Sequence, residues 1–131
     1  VFAKEVDFFS IGTNDLTQYT MSVDRGNEKV SYLYSTFNPA VLRSIRNIIK
    51  CGREAGIMVG MCGEAASDPM MIPLLLAFGL NEFSMSSSAI LKARKMITGY
   101  SEAELQAVAD KAMSFVSAKE IENFMRDFIN Q

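Results

Sequence analysis

The sequence predicts an α/β fold in which parallel strands alternate with helices, and three observations support this prediction. Short runs rich in β-branched and aromatic residues end at a glycine or a polar cluster, as buried strands do. Stretches with apolar residues at helical spacing follow these runs. The strand-like runs are apolar almost throughout, which is typical of parallel strands covered on both faces. Strands that alternate with helices in this way form parallel βα units.

The first βα unit contains a long connection. A strand is predicted over residues 6–11, where the run VDFFSI stops at Gly12. Residues 13–38 show polar clusters and no sustained period, so they are predicted to form a loop, and loops of that length are usually functional. Asn38-Pro39 then opens an amphipathic helix, since Asn is a favoured N-cap and Pro is tolerated at the first helical position.

The rest of the chain continues the alternation. The elements are predicted in this order: a strand over 57–61, a helix over 70–78 after Asp68-Pro69, a strand over 82–85, a helix over 89–98, and two helices with capping boxes that begin at Ser101 and Ser117. Three strands make a poor finished sheet, so we expect the C-terminal portion (about three βα units) of a (βα)8 TIM-type barrel followed by two terminal helices. In this division, residues 1–98 hold the βα units and residues 99–131 hold the terminal helices.

Composition narrows the class of protein. The 131 residues are 49% hydrophobic and 21% charged with a net charge of -2, which indicates a globular protein and excludes intrinsic disorder. A nucleic-acid partner is not expected, because such proteins usually present a basic surface. No apolar run approaches the roughly 20 residues of a membrane span, so no membrane insertion is expected. The chain begins with Val1, which indicates a fragment or a processed product.

The sequence contains no histidine. This excludes Ser-His-Asp and Cys-His catalysis, His-ligated zinc and a phosphohistidine on this chain itself. The two cysteines, Cys51 and Cys62, match no metal-binding spacing, and free cysteines without a signal peptide indicate a reducing compartment, the cytoplasm. Cys51 lies late in the amphipathic helix and is predicted to pack in the core.

Polar residues follow each predicted strand, at positions 12–15, 61–64 and 84–86. Ligands bind at the carboxyl ends of the strands in parallel βα folds. The three segments are therefore expected to converge on one site.

Four side chains in or near these segments suit phosphate or carboxylate chemistry. Asp15 offers a hard oxygen ligand for Mg²⁺, and Asn14 offers a neutral amide to an anionic oxygen. The Arg25 guanidinium could clamp a phosphate or carboxylate with two hydrogen bonds. Cys62 lies in a glycine-containing segment, where the backbone can approach a ligand closely. Alternatively, Asn14-Asp15 forms an ordinary turn and Cys62 is a small buried hydrophobe.

Six motifs resemble those of the phosphoenolpyruvate (PEP)-utilising enzymes. The first is FSIGTNDLTQY, and the six lie in family order at residues 9–19, 24–28, 33–34, 39–43, 60–64 and 82–86. The resemblance extends from residue 6 to residue 97. The DRGNE segment and the Leu33-Tyr34 pair that follows it are similar to the enzyme I family of the bacterial sugar phosphotransferase system, more than to pyruvate phosphate dikinase or PEP synthase.

This resemblance implies the C-terminal PEP-binding segment of an enzyme I, whose barrel binds PEP together with Mg²⁺. The parent enzyme transfers the phosphoryl group of PEP to a histidine on its own N-terminal domain and on to a phosphocarrier protein, which leaves pyruvate. Asn14 and Arg25 would contact the substrate phosphate, Asp15 would bind substrate and Mg²⁺, and Cys62 would protonate the enolate of pyruvate. The resemblance also implies a homodimer formed through the C-terminal domain and a cytoplasmic location.

Two alternatives remain open. The chain could be a fragment of pyruvate phosphate dikinase or PEP synthase, whose parent gene would carry an ATP-grasp domain. As isolated, it could instead be a catalytically inactive dimerisation module, because severed strand edges invite self-association.

Overall fold

A three-stranded parallel sheet forms the centre of the fold in the computed structural model, which describes residues 1–130. The strands are β1 (Phe8–Gly12), β2 (Met58–Cys62) and β3 (Glu82–Phe83). β2 lies in the middle and pairs in parallel with both neighbours, so that Ile11 faces Met61 on one side and Phe83 faces Met61 on the other. The predicted α/β class with a parallel sheet is confirmed.

Helices follow every strand. In the described part of the chain they are α1 (Thr13–Met21), α2 (Pro39–Glu54), α3 (Ile72–Phe78), α4 (Ser87–Ile97), α5 (Glu102–Ser114) and α6 (Ala118–Ile129). Among residues 1–130, three short 3₁₀ turns occur at Phe2–Lys4, Ser31–Leu33 and Glu64–Ser67. The predicted alternation of strands and helices is confirmed, with element ends shifted by one or two residues. No helix within residues 1–130 is long and apolar enough to cross a membrane.

The prediction of a loop over residues 13–38 is wrong for residues 13–21, because these residues form α1 directly after β1. This helix buries Thr13 and Thr17 instead of a stripe of large apolar side chains. The Thr17 hydroxyl donates to the carbonyl oxygen of Thr13 one turn earlier, at 2.7 Å. Because the buried face of α1 is made of threonines, the helix has no apolar period that the sequence could reveal.

The start of α3 also differs from the prediction. Asp68-Pro69 forms a turn in which Asp68 Oδ1 accepts a hydrogen bond from the Met70 backbone N–H, at 2.8 Å. The helix begins only at Ile72, with Pro73 in its first turn, where the missing proline N–H costs no intrahelical bond. Asp68 therefore organises the turn before the helix rather than its first residue.

The caps of the other helices match the prediction. The Asn38 side chain accepts a hydrogen bond from the backbone N–H of Ala40, at 2.9 Å, and begins α2. Both terminal helices carry complete capping boxes, in which a serine hydroxyl and a glutamate three residues later satisfy each other's backbone N–H groups.

The helices cover one face of the sheet. Side chains from that face, including Ile11, Val59 and Met61, join the apolar faces of α2, α3, α5 and α6 in a single core. On the opposite face, Phe8 and Met58 are 58% and 49% exposed. The expectation that these strands are covered on both faces is thus not met within residues 1–130.

Candidate functional site

The carboxyl ends of β1 and β2 lie side by side. The last pair of their ladder joins Gly12 to Cys62. The residues that follow the two strands, beginning with Thr13 and Gly63, therefore start from neighbouring positions. This register places both polar segments at the same edge of the sheet.

The N-terminus of α1 opens directly onto this edge. β1 ends at Gly12 and α1 begins at Thr13, and Gly12 as N-cap has no side chain with which to cap the helix. The first backbone N–H groups of an α-helix have no partner within the helix and carry partial positive charge. Asn14 and Asp15 lie in this first turn. The end of β1 thus presents a helix N-terminus, where negative charge is favoured, together with polar side chains.

A pocket of about 230 Å³ lies at this edge. Its lining consists of Gly12, Thr13, Asn14, Asp15, Arg25, Cys62 and Gly63. The structure thus brings the four predicted site residues together, although they come from positions as far apart as 14 and 62 in the sequence. A volume just below the roughly 300–1,000 Å³ of drug-sized ligand sites suits a small molecule.

The third predicted segment does not reach this pocket. The Ser84 backbone N–H donates to the Met61 carbonyl oxygen, at 2.8 Å, so the chain after β3 does start beside β2. Residues 84–86 are nevertheless absent from the pocket lining, and so is Glu64. The pocket is therefore formed by residues at the ends of β1 and β2 and by Arg25.

Arg25 reaches the pocket because the loop after α1 folds back onto that helix. The Gln18 side-chain oxygen accepts a hydrogen bond from the Arg25 backbone N–H, at 3.0 Å, and the Gln18 carbonyl accepts one from Val23, also at 3.0 Å. Within residues 1–130, neither Arg25 nor Asp15 forms an ion pair. Both charges therefore remain available to a ligand.

The donor set at this pocket suits a magnesium ion that completes its coordination with other groups. Asp15 supplies a carboxylate to the lining. In the described part of the chain no three potential metal ligands cluster. Mg²⁺ is commonly held by one or two carboxylates, with water and substrate phosphate as its remaining ligands. A single carboxylate fits that pattern.

Comparison with known proteins assigns the family. Residues 1–101 match the family model described as PEP-utilising enzyme, PEP-binding domain. The chain belongs to this family. The matched range contains β1, β2 and every residue of the pocket, so the family assignment and the geometry concern the same part of the PEP-binding domain.

Several curated relatives bear the name phosphoenolpyruvate-protein phosphotransferase. One from Priestia megaterium is 53% identical over 126 residues, which is 96% of this chain and 22% of the relative. One from Staphylococcus carnosus is 49% identical over 128 residues, 98% of this chain and 22% of the relative. One from Staphylococcus epidermidis is 50% identical over 131 residues, 100% of this chain and 22% of the relative. The chain spans about a fifth of the length of these relatives.

Tyr34 lies outside the pocket lining but contacts one of the lining residues, which sequence reasoning missed. Its hydroxyl lies 3.4 Å from Asn14 Oδ1 and 3.5 Å from the Asn14 carbonyl oxygen. Both acceptors belong to Asn14, so the tyrosine hydroxyl lies against this residue of the pocket lining. The motif Leu33-Tyr34 is visible in the sequence, but nothing in it indicates a contact across 20 residues.

The two cysteines have different surroundings. Both are free and exposed, and only Cys62 contributes to the pocket. The prediction that Cys51 packs in the core is wrong. Cys51 lies on the side of α2 that carries Asn47, whose side-chain oxygen is 4.0 Å from the sulfur, whereas Ile45 and Ile49 form the buried side.

Proposed function

We propose that this chain is the C-terminal PEP-binding segment of an enzyme I, a phosphoenolpyruvate-protein phosphotransferase. The observation that carries the proposal is the pocket at the ends of β1 and β2, which brings together Asn14, Asp15, Arg25 and Cys62. The family match over residues 1–101 and the named relatives support it. The parent enzyme transfers the phosphoryl group of PEP to a histidine on its N-terminal domain and on to a phosphocarrier protein.

The phosphate of PEP binds between the start of α1 and Arg25. The uncapped N–H groups of the first helical turn and the Asn14 amide donate hydrogen bonds to its oxygens, and the Arg25 guanidinium pairs with them. Asn14 and Arg25 both line the pocket, and Tyr34 contacts Asn14 while Gln18 accepts a hydrogen bond from the Arg25 backbone N–H. Such prearranged donors stabilise charge that develops on a transferring phosphoryl group.

Asp15 is the residue of this chain that would hold Mg²⁺. When bound, the ion would neutralise negative charge on the phosphate oxygens. Asp15 lies in the same helical turn as the phosphate-binding amides, so metal and phosphate would be held on one rigid element.

Cys62 supplies the proton that completes the formation of pyruvate. When the bond between phosphorus and the enol oxygen breaks, its electron pair stays on oxygen and leaves the enolate of pyruvate. The C3 carbon of the enolate takes the proton of the Cys62 thiol, which becomes a thiolate and regains a proton from solvent. The thiol is exposed within the pocket, as a proton donor to a bound ligand must be.

The larger fold is a (βα)8 TIM-type barrel of which this chain forms about the last three βα units. The sheet supports this, because its second face is open and carries the apolar side chains of Phe8 and Met58. Parallel sheets are otherwise covered on both faces. An apolar groove of about 520 Å³ also runs along the free edge strand β1, lined by Phe2, Phe9 and Ile48 among others. In a complete barrel, the preceding βα unit would cover the groove, and side chains of the other strands would cover the open face.

The remaining properties of the proposed enzyme follow from its family. It acts in the cytoplasm, and it forms a homodimer through its C-terminal domain. As isolated, the 131-residue chain carries no histidine to phosphorylate, so it would serve as a binding and dimerisation segment rather than as a complete catalyst.

Calorimetric titration of PEP in the presence of Mg²⁺ tests the proposal. In the parent protein, Asp15→Asn is expected to weaken binding by roughly tenfold or more, which corresponds to about 1.4 kcal/mol. The control Asp127→Asn removes an exposed carboxylate from α6 and should leave the affinity unchanged. The isolated chain should bind much more weakly than the parent. Equal affinity of the parent and its Asp15→Asn variant would contradict the assigned site.

A further inference from the structure

We propose that Thr13 is a positioning residue for Cys62. Its buried hydroxyl holds the backbone carbonyl of Cys62 and thereby sets the place of the thiol at the pocket. The inference rests on the proposed function, in which Cys62 protonates the enolate. It adds a residue whose own side chain takes no part in the proton transfer.

The hydrogen bond between the two residues extends the sheet beyond its last backbone pair. Thr13 Oγ1 donates to the carbonyl oxygen of Cys62 at 3.1 Å, across 49 residues of sequence. The backbone ladder ends one position earlier in β1, where Gly12 pairs with Cys62. Thr13 thus ties the residue that bears the thiol to the first turn of α1, which carries the phosphate-binding groups.

Gly63, the residue after Cys62, leaves room for the Thr13 hydroxyl. Gly63 has a φ of +99°, which side-chain-bearing residues rarely adopt. A Cβ at Gly63 would lie 2.5 Å from Thr13 Oγ1. The glycine therefore allows a closer approach of the hydroxyl than any other residue would permit.

A second threonine stabilises the first. Thr17 Oγ1 donates to the Thr13 carbonyl at 2.7 Å, and because its proton is used there, the Thr36 hydroxyl 3.5 Å away is the donor to Thr17. Within residues 1–130, the buried polar side chains are those of Thr13 and Thr17. Buried hydroxyls cost free energy unless they are hydrogen-bonded. Both hydroxyls meet this requirement, since Thr13 donates to the Cys62 carbonyl and Thr17 donates to the Thr13 carbonyl.

Thr13→Val and Thr13→Ser in the parent enzyme test the inference. Valine keeps the shape of threonine and removes the hydroxyl, whereas serine keeps the hydroxyl. The readouts are kcat and KM for Mg²⁺-PEP, and the rate at which the methyl group of pyruvate takes deuterium from D₂O. Thr13→Val is expected to lower kcat and the deuterium-incorporation rate by roughly tenfold or more, since small misplacements of a reacting group carry such costs.

The expected pattern separates positioning from general damage. KM for PEP should change less than about twofold in Thr13→Val, because the Asn14, Asp15 and Arg25 side chains and the backbone N–H groups of the first helical turn are all retained. Thr13→Ser should recover most of the lost rate. A folded Thr13→Val enzyme with normal rates would overturn the inference. So would a serine variant no better than the valine variant, or a rate loss matched by an equal rise in KM.

Cys62→Ala distinguishes failure of this inference from failure of the proposed function. If Cys62→Ala retains full deuterium incorporation, Cys62 is not the proton donor and the proposed role is wrong. If Cys62→Ala loses it while Thr13→Val does not, only the positioning role of Thr13 is wrong.

A measurement on the unmodified chain applies if Thr13→Val does not fold. In proton NMR spectra the Thr13 hydroxyl proton is expected as a separate, slowly exchanging signal with a nuclear Overhauser effect to the α-protons of Gly63. A hydroxyl signal merged with that of water would contradict the hydrogen bond, and with it the inference.

Discussion

The hydroxyl oxygen of Thr13 occupies the space that a side chain on Gly63 would need, 2.5 Å from the position of its Cβ. Gly63 also has a φ of +99°, so two independent features oppose any larger residue there. The contact joins the start of α1 to the turn after β2. The geometry of the pocket between them therefore depends on this glycine.

We expect Gly63→Ala to lower the free energy of unfolding by about 1–3 kcal/mol, because the new methyl group meets Thr13 and the backbone is strained. Gly12→Ala is the matched control. Gly12 has a φ of −85° and nothing within 4 Å of its Cβ position, so its variant should change stability by less than about 0.5 kcal/mol. Urea denaturation of the two variants gives the comparison. Equal stabilities would show that the turn after β2 relaxes freely.

The Gly12→Ala variant also tests the pocket itself. Gly12 is part of the lining, and no atom lies within 4 Å of its Cβ position, so the added methyl group meets no other part of the protein. Mg²⁺-PEP binding to the parent protein is expected to weaken although stability is retained. Calorimetry of this variant should thus show a loss of affinity without a loss of fold. An unchanged affinity would place the ligand elsewhere.

Loss of the α2 cap should destabilise the chain. Asn38→Ala removes the acceptor for the Ala40 backbone N–H, and we expect a loss of about 1 kcal/mol. Asn38→Asp keeps an acceptor and should restore most of the loss. Thermal unfolding followed by circular dichroism measures both changes. A variant as stable as the wild type would mean that water satisfies the helix terminus equally well.

Truncation of a core side chain on the buried side of α2 should lower the free energy of unfolding strongly. Ile45 is completely buried, so Ile45→Ala is expected to cost about 2–5 kcal/mol. Leu91 on α4 is 77% exposed, and Leu91→Ala should have little effect. Similar losses in the two variants would show that the face carrying Leu91 is covered in solution, for example by a second copy of the chain.

The contribution of Asp68 to stability should fall as pH rises, which is opposite to the usual behaviour of a carboxylate with a lowered pKa. Burial raises the pKa of the Asp68 carboxyl above its ordinary value, backbone N–H groups of Met70 and Met71 oppose the rise, and the charge of Glu122 adds to it. The folded state therefore binds more protons than the unfolded state between the two pKa values. The contribution of Asp68 to stability falls as pH rises through this window and stays low above it.

Asp68→Asn is expected to remove this contribution while keeping an acceptor for Met70. The variant should gain stability relative to the wild type as pH rises from about 4 to 7. The Ser101 and Ser117 hydroxyls hold the pKa values of Glu104 and Glu120 below normal, so the contributions of these two glutamates to stability rise with pH. Both glutamates are present in the wild type and in the variant, so their effect cancels in the difference between the two proteins. Urea denaturation at several pH values measures the difference. A difference that does not change with pH would contradict the raised pKa.

The sequence predicted most elements whose signals are local. Asn38 caps α2 and the serines at 101 and 117 cap the terminal helices, because a cap involves residues only two or three positions apart. The strands were recognisable as short apolar runs. α1 was missed because Thr13 and Thr17 are buried through hydrogen bonds to distant and neighbouring carbonyls, and such burial leaves no apolar period.

The sequence by itself determined the residue types of the site, the α/β class and the family motifs, since these depend on order along the chain. Only the tertiary structure decided which of them meet. The register of β1 against β2 places Gly12 opposite Cys62, and the loop that folds onto Gln18 brings Arg25 to the same pocket. Only the tertiary structure shows that the Tyr34 hydroxyl contacts Asn14 and that residues 84–86 do not line the pocket. Contacts across 20 to 50 residues follow from strand pairing and packing, which no local pattern encodes.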